Sequence, residues 1–460
     1  MKNKKHILLS IIILFIVTLN IFLTYNKKEV LEINNSDIEN NAMAILVNGE
    51  AQDTIPAKGS ANYRVTVNCT KGTASWDYDN WGIIINTIDK GNIKCNVEFN
   101  KKNYLRINYM DGLPFLDGPL MPNEIESIEF MTMNVVPSRV LGSWDVSENQ
   151  DRSIMAWYYD SDSNGKYEVY IGGNGGVIAN PDSSHLFDRM NDIKSINLSN
   201  LDTSEVTDMS NMFQDTGYNS TVFNLNLGES FDTSNVTSMA YMFSSTGYNS
   251  SVFTLNLGDK FDTSNVTDMS AMFYWTGYSS TDFTLDFGDK FDTSNVTSMA
   301  YMFDNAGYKS LVFKLDLGDK FDTSNVTNMS QMFSSTGQSS TVFTLSLGDK
   351  FDTSNVKTMA YMFVNVGANN ANFILNLGNK FNTSKVTNME TMFGYTGYSN
   401  PNFTLDLRTF NFDRVSNYTS IFSYSKTSNT AYVKNAADKT WVSEKGFAGT
   451  IIDCSSNTCP

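Results

Sequence analysis

The chain has 460 residues, 41% of them hydrophobic and 18% charged, which describes a folded protein of about two to four domains and excludes general disorder. A formal net charge of −16 repels a phosphate backbone, so nucleic acid is excluded as a partner. There are two histidines, His6 and His185, the first in a leader segment, so histidine triads and histidine metal sites are excluded and no cofactor or metal is expected.

Residues 1–6 carry Lys2, Lys4 and Lys5 and are expected to form a cytoplasmic tail. Residues 7–25, ILLSIIILFIVTLNIFLTY, hold no charge and as a helix would span roughly 28 Å, close to the hydrocarbon thickness of a bilayer. Lys27 and Lys28 follow, without a small-x-small cleavage site, so the segment reads as a transmembrane signal anchor more than as a cleaved leader. The lysine balance puts the N-terminus inside. The expected location is the cell surface, with the membrane held through residues 7–25 and the bulk extracellular. Residues 26–43 are polar and read as a linker.

Residues 44–103 read as a small β domain, because AILV, YRVTV, WGIIINTI and KCNVEF are separated by Gly, Lys and Asn-Asp turns. Cys69 and Cys95 lie in two of these runs and are expected to bridge neighbouring strands. Cys454 and Cys459 are expected to close a small loop in the tail. Export makes both disulfides reasonable, and a zinc site would need short CxxC spacings that are absent. Residues 104–200 read as a β-rich N-terminal cap and lead-in coil. Within them Asp160-Ser161-Asp162-Ser163-Asn164-Gly165 starts like a calcium loop, but Ile171 stands where the bidentate Glu is required. Asn164-Gly165 instead signals a hairpin with a type I′ turn.

From Leu201 the sequence repeats every thirty residues, with units starting at Leu201, Phe231, Phe261, Phe291, Phe321, Phe351 and Phe381. These seven units cover residues 201–410. Residues 411–460 hold a decayed eighth unit, in which Val415, Tyr418, Ile421 and Phe422 take the repeat's apolar places, and a C-terminal cap and tail. Such a period predicts a solenoid whose coils bury their apolar faces on one another. Val236, Met239, Met242 and Phe243 recur at i, i+3, i+6 and i+7, which predicts one helix per unit. Asp232, Thr233 or Ser234 would cap it, and Gly247 and its counterparts would end it. Phe253, Leu255 and Leu257 alternate with Thr254 and Asn256, which predicts one strand per unit. The expected fold class is therefore α/β, a leucine-rich-repeat-like solenoid behind a small all-β domain and a transmembrane helix. A finer alternation sets Tyr241, Tyr301 and Tyr361 against Asn211, Ala271, Gln331 and Thr391.

The string FDTSNVTxMxxMF resembles the BspA-type leucine-rich-repeat surface proteins of bacteria, and residues 142–177 resemble the lead-in of that family. The resemblance covers about residues 184–440. It implies a leucine-rich-repeat-like solenoid, surface display and adhesion to host proteins or to other cells. The unit is longer than the usual leucine-rich repeat, and Lys260 stands where that pattern has its ladder Asn.

No cluster of non-repeated acid, base and nucleophile is present, so no enzyme is expected. The expected function is an adhesin-like repeat protein that binds host or neighbouring-cell surface proteins or glycans; a structural spacer without a specific ligand is the alternative. Candidate ligand-binding residues are the outward strand positions Asn226, Asn256, Asp286, Asp316, Ser346, Asn376 and Asp406, and the loop tyrosines Tyr218, Tyr248, Tyr278, Tyr308 and Tyr398. The latter can equally be a structural edge. Asp columns at Asp232, Asp262, Asp292, Asp322 and Asp352, and at Asp259, Asp289, Asp319 and Asp349, read as helix caps and as partners of Lys260, Lys290, Lys320 and Lys350 more than as cation sites. The Asn-Val-Thr sequons at Asn235, Asn265, Asn295 and Asn325 read as helix-start chemistry.

Overall fold

The computed structural model describes residues 29–33, 46–47, 63–69, 73–77, 82–87, 93–108, 113–229, 231–288, 290–318 and 320–459, with side chains from residue 102 onward. Residues 1–28, including the expected tail and the anchor at 7–25, lie outside the described residues. Among those described, no helix is long and apolar enough to cross a membrane. The chain divides into two units, Met1–Asn103 and Tyr104–Pro460.

The described residues of the first unit lie mostly in strands. β1 (Glu29–Ile33), β2 (Leu46–Val47), β3 (Tyr63–Cys69) and β6 (Ile93–Lys101) form an antiparallel sheet in the order β2-β1-β6-β3, while β4 (Thr73–Asp77) and β5 (Gly82–Thr87) form a hairpin. β1 falls inside the stretch expected as a linker. The β3–β6 register sets Cys69 directly opposite Cys95.

The second unit opens with β7 (Ile125–Met131), β8 (Gly142–Asp145), β9 (Ile154–Tyr159), β10 (Tyr167–Gly173), β11 (Val177–Ile178), β12 (Ser195–Asn197), β13 (Leu201–Asp202) and β14 (Asn224–Asn226). Six of these make a mixed sheet in the order β14-β12-β7-β10-β9-β8, whose β14-β12-β7-β10 part is parallel. The expected hairpin joins β9 to β10, but its left-handed residues are Ser163 (φ 57°) and Gly165 (φ 78°), so the turn is not type I′ at Asn164-Gly165. Asp160 closes the loop by accepting the Asn164 and Gly165 N–H groups.

The repeats follow. β15 (Val252–Asn256), β16 (Asp282–Asp286), β17 (Val312–Asp316) and β18 (Val342–Ser346) pair in parallel, and in the β15–β16 and β17–β18 ladders each residue faces the one thirty positions on. Their burial alternates strictly, with Phe253 and Leu255 inside and Val252, Thr254 and Asn256 outside. The stack ends in β19 (Thr404–Asp406), β20 (Thr430–Val433) and β21 (Thr450–Asp453), with α1 (Ala436–Glu444) between the last two. Cys454 and Cys459 form the tail disulfide.

The expectation of one helix per coil is wrong, and with it the α/β class. Among their described residues the repeats hold no helix; they are a solenoid of parallel strands and turns, and α1 is the α-helix found among the described residues of the chain. The reason lies in the backbone donors. An α-helix would spend every N–H on the carbonyl four residues back. Here the N–H groups alternate: those of Met242, Ser244 and Thr246 donate to carbonyls three residues back, at 3.2, 3.0 and 3.1 Å, while those of Tyr241, Phe243 and Ser245 donate to Ser270, Met272 and Tyr274 of the next coil. Such turns need left-handed residues, and Tyr241 (φ 59°), Ser245 (φ 55°) and Gly247 (φ 60°) supply them.

The columns expected to cap helices serve the stack instead. Asp262 accepts the Ser264 N–H at 3.0 Å and closes a tight turn. The hydroxyl of buried Thr263 donates to the Asp292 carbonyl of the next coil at 2.7 Å. The sequon residue Asn295 donates from its amide to the Ser264 carbonyl of the previous coil at 2.6 Å, and Asn265, Asn325 and Asn355 repeat that contact. An asparagine ladder therefore exists, at a position other than the one Lys260 occupies. Inside, Met239, Met242 and Phe243 of this coil are fully buried, and Phe213, Phe243, Phe273, Phe303 and Phe333 stack at 5.4 to 5.7 Å between ring centroids. The unbranched Met side chains fill the irregular space between these rings.

Gly307 tests this register. At φ 55° its missing Cβ would lie 2.8 Å from the Phe313 ring and 3.1 Å from that of Phe283. Gly307→Val is expected to destabilise by about 1–3 kcal/mol, and Met302→Asp by more, since it puts an unpaired charge in the core. Thr284→Ala, on the exposed face of β16, should stay within about 0.5 kcal/mol. Denaturant melts of the three variants check the order, and equal tolerance would overturn the register.

Candidate functional site

Alternation along a strand sends every second side chain outward, and a fixed thirty-residue register lines those side chains up across coils. The predicted outward positions accordingly stand in one row. Asn226, Asn256, Asp286, Asp316, Ser346 and Asn376 are exposed, and Asp406 is half-buried. The structure brings them together as a ribbon of amides, carboxylates and a hydroxyl on the outer face of the sheets. Several of these groups also order their own turns: Asn256, Asp286, Asp316 and Asn376 each accept the N–H of the glycine two residues on.

The row has a hollow at each end. Residues 371–378 form no strand, and there a cavity of about 480 Å³ opens beside Asn376, Lys380, Asp406 and Arg408. Arg408 forks onto the Asp406 carboxylate, with Nη2 to Oδ2 at 2.6 Å. Partial burial pushes that carboxyl up, but the Arg408 hydrogen bonds and charge outweigh it and hold it below the usual range. At the other end a hollow of about 290 Å³ lies over β7, β12 and β14 and includes Asn226.

The loop tyrosines form a second feature. Tyr218, Tyr248, Tyr278 and Tyr308 stack in a column at 4.4, 4.7 and 4.6 Å between centroids. Trp275 packs against Tyr248 and Tyr278, and the Lys309 ammonium lies 5.5 Å from the Tyr278 ring centre. Burial, then the neighbouring rings of Tyr218 and Tyr278, pushes the Tyr248 phenol up to about 12. These rings spend their faces on one another, which is the structural role. Tyr398 stands apart, exposed, with the Lys426 ammonium 3.9 Å over its ring. Among the described residues no group of three or more His, Cys, Asp or Glu converges as a metal site.

Sequence reasoning missed the part of the row that precedes the repeats, Asn197 and Glu129, because these strands do not follow the thirty-residue period. The register Asn226↔Asn197↔Glu129 joins them to it. It also missed Asp304. That position is Gln214, Ser244, Tyr274, Ser334, Val364 and Gly394 in the other coils, so a repeat alignment of the chain against itself exposes it.

With this geometry in place, the chain can be compared with known families. The family described as "Mycoplasma protein of unknown function, DUF285" matches at residues 182–310, 248–376 and 308–436, three overlapping stretches that span more than half of the chain. The chain belongs to the DUF285 family. The matches cover the coils and the end of their lead-in. No curated protein and no solved structure matches the chain.

Asp304 is expected to give the stability of its own coil a pH dependence. Burial pushes its carboxyl up to about 7, against hydrogen bonds from Ser334 and Asn305 that pull it down. In the unfolded chain it is an ordinary aspartate of about 3.9. As pH rises from about 4 to about 7 the unfolded chain gives up this proton and the folded chain keeps it, so stability is lost across that window. Asp304→Asn should remove the loss. Thermal melts between pH 4.5 and 7.5 are expected to show the variant gaining on the parent as pH rises; parallel curves would refute the assignment.

Proposed function

We propose that this protein is a non-catalytic, adhesin-like surface protein of BspA-like kind, which binds proteins or glycans of host or neighbouring cells along its outer strand row. The observation that carries the reading is the row itself: exposed hydrogen-bonding side chains at one position of successive coils, on a rigid parallel sheet. Strands lie ~4.8 Å apart, too close for separate pockets, so a ligand would lie across several coils and gain from many weak contacts. The apolar run at 7–25 and the Cys454–Cys459 disulfide support export to an oxidising compartment.

A structural spacer is the second reading, favoured by the tyrosine column, whose ring faces are already occupied by one another. Adhesion assays with the full-length protein separate the two. Replacing Asn256, Asp286, Asp316 and Ser346 together by Ala is expected to cut attachment to cells or matrix proteins at least about tenfold, the effect of losing ~1.4 kcal/mol of binding. Attachment equal to that of the parent, or none by the parent itself, would favour the spacer.

A further inference from the structure

The row of outward side chains is most varied where the repeat has not yet begun. Across the parallel strands of the lead-in sheet, Asn226 (β14), Asn197 (β12), Glu129 (β7) and Tyr170 (β10) are successive register partners, and Trp157 (β9) follows Tyr170. Asn224, Ser195 and Ser127 form a second row beside the first. The hollow of about 290 Å³ lies over both.

Its groups are unusually free. Among the described residues, the carboxylate of Glu129, the amide of Asn224, the hydroxyls of Ser127 and Ser195 and the amide NH₂ of Asn197 have no side-chain hydrogen bond within the protein, although they share one small hollow. At one end stands the Tyr170 ring. Trp157 stacks on it at 6.2 Å and 9°, and Tyr159 lies at 85° to it with centroids 5.7 Å apart, so neighbouring rings orient it at the border of the hollow. Two residues on from Tyr170 along β10 the sheet face is covered, because the Met133 carbonyl occupies the space where Gly172 would carry a Cβ.

These features select a ligand class. Neutral amides and hydroxyls that both donate and accept match vicinal sugar hydroxyls. A half-buried ring offers an apolar surface to the C–H side of a pyranose, in the way small-ligand sites combine one aromatic wall with a few placed polar groups. No Lys or Arg lines the hollow, and Glu129 adds negative charge, which disfavours phosphate, sulfate and acidic sugars. β7 and β12 are paired on both sides, so the middle of the hollow offers no strand edge to an added peptide strand. The span from Tyr170 to Asn226 is three strand spacings, roughly 14 Å, the reach of a short oligosaccharide.

We propose that this hollow, between Tyr170 and Asn226, is a binding site for a neutral oligosaccharide. It names a ligand class for the adhesive reading above and rests on it. Calorimetric titration of the full-length protein with chitotriose, cellotriose, maltotriose and 3′-sialyllactose tests it. At least one neutral trisaccharide is expected to bind, and Glu129→Ala and Asn224→Ala, both on exposed positions and so with unchanged melting, should weaken it about tenfold or more. No binding of any neutral trisaccharide at about 10 mM, equal affinity in both variants, or preference for the sialylated sugar would each overturn the proposal. Cell attachment measured on the same variants keeps the two readings apart. A parent that attaches to cells but binds no sugar leaves adhesion standing and removes this site.

Discussion

Each coil of this protein divides its backbone donors between itself and its neighbour. Alternate N–H groups close turns to the carbonyl three residues back, and the groups between them cross to the next coil. Buried donors left unpaired cost free energy comparable to a lost hydrogen bond, so the pattern allows no slippage. Coil length changes outside these donors: the step to the eighth unit is one residue shorter, yet the N–H groups of Met389, Thr391, Phe393 and Tyr395 still donate to Asn417, Thr419, Ile421 and Ser423. The recurrence of this turn-and-crossing segment in every coil follows from that constraint. So do the left-handed residues at Tyr241, Ser245 and Gly247, since a run of right-handed residues would wind into a helix and withdraw the crossing donors. The strain of a non-glycine residue at positive φ is sustained because bonds on both sides over-determine it.

The side chains extend the same division. Thr263 reaches forward one coil and Asn295 reaches back one, each to a main-chain carbonyl that the backbone ladder leaves available. The two ladders flank an interior of stacked Phe and fully buried Met. Polar ladders outside and aromatic columns inside both require that the same residue recur at the same place, so the repetition in sequence is a packing requirement. In the alternating column Tyr241 and Tyr301 are exposed, Gln331 is half-buried and Ala271 is buried, while the left-handed backbone at each makes the same crossing bond.

Much of this was readable from residues alone. The thirty-residue period, the Phe253-Leu255-Leu257 strand and the outward row need no structure, because period two and burial are directly linked. The helix was a misreading with a definite cause. Val236, Met239, Met242 and Phe243 are spaced as on a helix face, but successive three-residue turns bury the same positions. Composition held the contrary signal: Thr, Ser, Asn and Gly around these residues are poor helix formers that prefer turns and side-chain-to-backbone bonds. The ladder role of Asn295 was not legible, because its partner Ser264 lies one coil away and the sequence does not say which coil faces it. Glu129 and Asn197 were hidden for a related reason, as their register with Asn226 depends on a crossover that no local pattern marks.

Side chains in such a stack differ most where repetition relaxes. Within the coils many Asp, Thr and Asn side chains serve turns and ladders, and the tyrosines of the column stack on one another. At the ends this commitment lapses. The C-terminal end replaces the coil with β19 to β21 and α1, and there Arg408 and Asp406 pair beside an open cavity. The N-terminal end replaces it with a mixed sheet, and there Glu129, Asn224, Ser127 and Ser195 carry no internal duty. The cap that closes a solenoid must differ from the repeat to stop it stacking onward. That same difference frees side chains to face outward in a single unlike arrangement, which is what recognition of one ligand requires.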